Sequence, residues 1–166
     1  MSDNATTGDD YLEGTSGADT IFALEGDDIL IGGGGPDDLR GGLGNDTIVV
    51  DDASAGTVVD GGDGADRLEF GGSSNVAIDL ANEALTISGD FGAVTLIGIE
   101  NVLGGSGDDT IMGDAGANGL SGSDGADSLG GGGGNDTLRG ARATTRCTAA
   151  AMRTSRSSPV TKPITP

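Results

Sequence analysis

Cut every nine residues, 14–49 reads GTSGADTIF, ALEGDDILI, GGGGPDDLR and GGLGNDTIV. The same frame returns at 61–69 (GGDGADRLE). It returns again over 104–139 as GGSGDDTIM, GDAGANGLS, GSDGADSLG and GGGGNDTLR. The nine copies share the pattern G-G-x-G-x-D-x-U-x, with U apolar. Position 4 is glycine and position 8 is Ile or Leu in every copy. Position 6 is Asp19, Asp28, Asp37, Asp46, Asp66, Asp109, Asp127 and Asp136, and Asn118 in the remaining copy. A fixed short period is the mark of a solenoid, in which each unit buries its apolar residue against the next. A Gly/Asp-rich linker would not keep three residue types in register.

Composition narrows the chemistry. The chain has 166 residues, with 34 Gly, one Cys and no His or Trp. Without His there is no Ser-His-Asp triad, Cys-His dyad or His-ligated zinc. One Cys excludes an internal disulfide framework. At 34% hydrophobic and 2% aromatic residues, only a thin or elongated core can form. All 27 acidic residues lie in 1–139 with only Arg40, Arg67 and Arg139, leaving that stretch at −24. Such a body repels nucleic acid and anionic lipid and attracts cations. No run of 18 apolar residues occurs, so no membrane insertion is expected. The start, MSDNATTGDDY, has neither the basic nor the apolar region of a Sec leader.

The nonapeptide resembles the calcium-binding repeat of repeats-in-toxin (RTX, hemolysin-type) proteins. The resemblance implies an all-β parallel β-roll (a β-solenoid) of nine-residue glycine-rich repeats, with Ca²⁺ between successive same-side turns. The residues support each part. Glycines leave no Cβ in the way, so a tight turn can aim several carbonyls at one centre. The aspartate adds a charged oxygen there, and position 8 points inward from a short strand. Two units make one coil of 18 residues, so strands two units apart stack about 4.8 Å from one another. Stacked carboxylates repel by ~1 kcal/mol in water and more where the dielectric is low. A divalent ion between them reverses that sign. Oxygen-only ligands on flexible turns suit Ca²⁺ better than the stricter Mg²⁺.

Period 18 sets Asp19 against Asp37, Asp28 against Asp46, Asp109 against Asp127 and Asn118 against Asp136. Asp66 belongs to the isolated copy. Carbonyls of turn residues such as Gly32, Gly34, Gly41, Gly104, Gly122 and Gly131 complete the expected calcium sites. Asn118 lacks a charge, and Ala23 and Leu24 replace glycines, so both turns are expected to bind less well. Turn 14–19 is read as an N-terminal cap. Arg40, Arg67 and Arg139 fall at positions 7 or 9 and should face solvent.

The chain divides into a lead-in (1–13), a repeat block (14–49), a spacer rung (50–60), a single repeat (61–69), strand-rich 70–103, a second block (104–139) and a basic tail (140–166). Val76–Leu80, Leu85–Ile87 and Val94–Ile97 are strand-like runs, expected to continue the solenoid as ion-free rungs. The tail holds five bases, no acid and three of the four prolines, and reads as a disordered end. A GC-rich back-translation of 140–147, read two bases later, gives RAGDDAL, which restores the repeat in register. A frameshift product is the favoured reading of the tail beside a basic arm that binds anions or folds back on the acidic body, and the coding DNA decides.

The expected function is calcium binding coupled to folding of a secreted, extracellular roll. The resemblance implies export by a one-step type I secretion apparatus that uses an uncleaved C-terminal signal, and no such signal is identifiable in the tail. The alternatives are a calcium-binding, secretion-assisting fragment of a larger toxin or hydrolase, and a surface adhesin. No enzyme is expected, since the aspartates follow the repeat and Glu13, Glu25, Glu69, Glu83 and Glu100 share no pattern. An ice-binding threonine ladder (Thr20, Thr47, Thr110, Thr137) is interrupted by Ile29, Asp38, Arg67, Gly119 and Ser128.

Overall fold

A computed structural model describes residues 5–50, 52–53, 56–82, 84–87, 94–140, 146–148 and 155–156. Nearly all of the regular structure is strand. In chain order the strands are β1 (Tyr11–Glu13), β2 (Thr20–Glu25), β3 (Ile29–Ile31), β4 (Gly34–Gly35), β5 (Asp38–Leu43), β6 (Thr47–Val50) and β7 (Asp52–Ala53). They continue with β8 (Val58–Asp63), β9 (Arg67–Phe70), β10 (Val76–Asp79), β11 (Ala84–Ile87), β12 (Val94–Ile97) and β13 (Asn101–Leu103). The last are β14 (Thr110–Met112), β15 (Gly119–Ser123), β16 (Ser128–Gly130), β17 (Thr137–Gly140), β18 (Arg146–Thr148) and β19 (Ser155–Arg156). One 3₁₀ turn spans Leu80–Asn82.

Successive repeats alternate between two sheets. The first has the order β1-β3-β6-β9-β13-β15-β17-β19, and every pairing in it is parallel. The second has the order β18-β16-β14-β10-β11-β12-β8-β5-β2. Within the blocks the register advances by one coil of 18, as in Tyr11↔Ile29 and Thr20↔Asp38. The spacer lengthens one coil by two residues (Asp38↔Val58, Thr47↔Arg67) without breaking either sheet. This is the parallel β-roll expected.

Position 8 fills the space between the sheets. Leu30, Leu39, Ile48, Leu68, Ile111 and Leu129 are fully buried, and Ile21, Leu120 and Leu138 nearly so. Burial of each such side chain contributes about 1.5–3 kcal/mol. Val59, Leu96, Val102 and Ile78 continue the row through the irregular segments. The flanking positions face outward. Arg40 lies on the surface, paired with Asp38 at 2.9 Å and stacked 5.5 Å from the Phe22 ring. Arg67 pairs with Glu69 at 3.2 Å.

Three features go beyond the sequence reading. Residues 5–13 are more than a lead-in: Leu12 is buried, and β1 stacks on β3 as a further repeat. Residues 70–103 are not a series of parallel rungs. β10 and β12 join the parallel stack through β14 and β8, but β11 runs antiparallel between them. The chain reverses there because Asp79 accepts the Asn82 amide N–H (3.2 Å) and side-chain N–H (2.6 Å), closing a turn within one sheet. The first sheet bypasses this insert, with β13 lying directly on β9. In the tail, the described residues of β18 and β19 pair in parallel with β16 and β17 at the same spacing. An open parallel edge offers backbone partners to any extended segment, whatever its side chains. Residues 141–145, where the restored-frame glycine and aspartate fall, lie outside the described residues.

Candidate calcium-binding turns

The turn before each position-8 strand places its aspartate in the interior of the roll's edge. Asp28, Asp46, Asp66, Asp109, Asp127 and Asp136 are at most 2% exposed, and Asp19, Asp37 and Asn118 are also buried. One bond pattern recurs. In five aspartates of the nine copies Oδ1 accepts the backbone N–H of the position-6 residue one coil earlier, Asp66 from Asp46 at 2.8 Å among them, while Asp109 Oδ1 accepts the Val76 N–H at 2.9 Å. Asp37 accepts from Asp19 (3.0 Å), Asp46 from Asp28 (2.9 Å), Asp127 from Asp109 (3.1 Å) and Asp136 from Asn118 (3.1 Å). All four pairs set by the 18-residue period are therefore neighbours.

The second oxygen is different. The Oδ2 atoms of Asp28, Asp46, Asp66, Asp109 and Asp136 are buried without a hydrogen-bond partner. A buried carboxylate oxygen left in this way is costly, by several kcal/mol when ionised. Position 1 supplies its surroundings. A Cβ at Gly32 would lie 2.7 Å from Asp37 Oδ2. At Gly41, Gly104, Gly122 and Gly131 it would collide with Oδ2 of Asp46, Asp109, Asp127 and Asp136. The carbonyl of the next coil's position 1 enters the same space: Gly61 O lies 2.6 Å from a Cβ at Gly41, and Gly131 O 2.6 Å from one at Gly113. The Gly32 carbonyl approaches Gly14 similarly, whereas Gly34 donates its N–H to Thr15 O at 2.9 Å. Carboxylate and carbonyl oxygens thus converge where a side chain is excluded. This donor set fits a hard divalent cation.

Burial acts first on the carboxyl groups, and neighbouring aspartates add to it. Asp46 is pushed up to about 6 by desolvation, with Asp66 and Asp28 beside it. Asp109 also rises to about 6, by desolvation and then by Asp127 and Asp108. Asp28, Asp37 and Asp66 are raised for the same leading reason. Asp19 is the exception. Its Oδ2 accepts the Thr15 N–H (2.6 Å) and hydroxyl (2.8 Å), which hold it below the usual range.

The carboxylates form columns. Among the described residues no three acidic side chains gather into one cluster, so backbone carbonyls must supply much of any coordination. The column beside the first sheet contains two residues without a repeat assignment in the sequence. Asp10 lies below Asp28, whose Oδ1 accepts its N–H at 2.7 Å. Asp10 Oδ2 in turn accepts the Thr6 N–H (2.6 Å) and hydroxyl (2.9 Å), as Asp19 does from Thr15. Glu100 lies above Asp66 and accepts its N–H at 2.8 Å. The column beside the second sheet is interrupted: Thr57 stands where Asp37 would meet its next carboxylate, and its hydroxyl accepts the Asp37 N–H at 3.2 Å. In turn 23–28, Leu24 is held at φ +85°, a conformation costing a non-glycine residue roughly 1–2 kcal/mol.

Comparison with known families finds the RTX calcium-binding nonapeptide repeat in four copies, over residues 4–39, 31–52, 58–77 and 103–140. The first match begins at residue 4 and so includes the 5–13 unit. A comparison with curated proteins gave no match. Repeats of this family bind calcium, and their β-roll is generally non-catalytic. With the matched residues spanning well over half of its length, the chain belongs to the RTX calcium-binding nonapeptide repeat family.

Proposed function

We propose that calcium binding to the stacked turns folds this chain, and that it acts as a calcium-dependent roll outside the cell. The partnerless, buried Oδ2 atoms carry this reading. Asp28, Asp37, Asp46, Asp66, Asp109, Asp127 and Asp136 hold the ions, with position-1 carbonyls as further ligands. Asn118 offers only a neutral oxygen, which already accepts the Asp114 N–H at 3.0 Å, and so a weaker site. Asp19 and Asp10 cap their columns, because their threonines already satisfy the second oxygen. Calcium supplies the charge that lets ionised carboxylates stack, and its binding free energy becomes folding free energy. Extracellular calcium modules bind with Kd of roughly 10⁻⁴–10⁻³ M. At that affinity the chain stays expanded in low intracellular calcium and folds outside. Family membership supports passage through a type I exporter in the expanded state.

Equilibrium dialysis tests the reading. At about pH 7.5 and millimolar calcium each chain is expected to retain several ions; retention of none overturns the proposal. Protons compete for the same oxygens, so retention is expected to fall as pH drops through about 6, where Asp46 and Asp109 titrate. The calcium-free chain should respond in the opposite sense. A carboxyl group raised by folding stabilises the fold below its unfolded value near 3.8, and that contribution is lost as pH rises through about 6. More β-signal is expected at about pH 4 than at pH 7.5 without calcium. Equal signals would contradict the burial of ionisable carboxyls on which the account depends.

A further inference from the structure

The family match leaves out 78–102, so nothing in the motif assigns a ligand between Asp66 and the second block on the first-sheet side. The fold does. Pairing of β13 on β9 sets Asn101 against Arg67, which brings Glu100 over Asp66. Glu100 Oε2 accepts the Asp66 N–H at 2.8 Å. Asp66 Oδ1 makes the same bond to the Asp46 N–H, also at 2.8 Å. Glu100 therefore occupies the position-6 place of a coil that has no nonapeptide. Gly98 occupies the position-1 place: its carbonyl and Asp66 Oδ2 both close on the point where a Cβ at Gly61 would stand. Gly61 O and Asp46 Oδ2 close on Gly41 in the same way. Asp66 is fully buried, and its Oδ2 has no hydrogen-bond partner. The turn Gly98-Ile99-Glu100 is shorter than a nonapeptide turn, and the extra methylene of glutamate restores the reach. On the far side the Glu100 carbonyl accepts the Gly119 N–H (3.1 Å) and the Asn118 side-chain N–H (3.3 Å), tying this turn to the second block.

We propose that Asp66, Gly98 and Glu100 form a calcium site outside the nonapeptide motif, bridging the two repeat blocks across the insert. The inference rests on the calcium reading above. Glu100→Gln retains the length and an oxygen for the Asp66 N–H, but removes the charge. In equilibrium dialysis of the full chain at saturating calcium, the variant is expected to hold one ion fewer than wild type. An unchanged ion count and calcium midpoint would overturn the proposal while leaving the repeat sites standing. No ions on wild type would instead mean that the calcium reading itself has failed. Far-UV circular dichroism at saturating calcium checks that the variant folds. If it does not, Glu100→Asp decides. A folded Glu100→Asp, whose carboxylate falls short of the site, is expected to hold one ion fewer; a folded variant with the wild-type ion count, or an unfolded one that assigns Glu100 a packing role, overturns the site.

Discussion

Gly44→Ala is expected to remove a large part of the roll's stability at saturating calcium. Gly44 sits at φ +127° directly above Gly26, and a Cβ there would collide with the Gly26 carbonyl oxygen. Neither backbone can yield. Gly44 donates its N–H to Asp63 O at 3.0 Å, and Gly26 donates to Leu43 O at 2.9 Å. The left-handed conformation alone costs alanine about 1–2 kcal/mol, and the collision with fixed backbone raises the total to roughly 3–5 kcal/mol. Small domains have only about 5–15 kcal/mol in all. Gly8 is the matched control: it has the same position in its repeat, but a Cβ there meets nothing within 4 Å. Gly8→Ala should shift stability by less than about 0.5 kcal/mol. Far-UV circular dichroism and urea unfolding at saturating calcium separate the two. A Gly44→Ala protein as stable as wild type would mean that the turns are not stacked as described.

Asp46→Asn is expected to have two effects of opposite sign. Asp46 lies between Asp28 and Asp66 in the first column, and burial already raises its pKa to about 6. Asparagine keeps an oxygen to accept the Asp28 N–H and removes the charge. Without calcium, as pH rises from about 4, the variant should keep its β-signal to higher pH than wild type, because one buried repulsive charge never forms. With calcium the order should reverse, and the midpoint for calcium should rise by about tenfold or more, since ligand charge tunes such sites. A merely structural aspartate would not produce this crossover. A variant that loses its calcium-free β-signal at the same pH as wild type, or that needs no more calcium than wild type to fold, would contradict the ligand role.

The repeat was legible because each of its three fixed positions has a separate physical cause. Ile and Leu at position 8 are the core, position-6 carboxylates line the turns, and glycines stand where a Cβ has no room. The unit at 5–13 was harder to see. Only Gly8, Asp10 and Leu12 keep the pattern there, while Ala5 and Thr6 replace the leading glycines. Those two positions can change because Thr6 itself satisfies Asp10. Glu100 carried no signal of a ligand, since it lies outside any nonapeptide. Its place is set by pairing with Arg67–Glu69, more than thirty residues away, and by a turn of different length. The direction of β11 was equally hidden, since Leu85-Thr86-Ile87 suits a parallel or an antiparallel neighbour. The Asp79–Asn82 turn decides it. In the spacer, Thr57 occupies a carboxylate's place as a neutral acceptor, which no count of aspartates reveals.

Calcium-coupled folding is tested most directly by far-UV circular dichroism of the full chain, titrated with CaCl₂ at about pH 7.5 and with MgCl₂ as control. The −24 charge of residues 1–139 and the partnerless Oδ2 atoms predict a coil-to-β transition near millimolar calcium that magnesium does not reproduce. A chain with the same β-signal in chelator, calcium and magnesium, or one that stays a coil in all three, would contradict it.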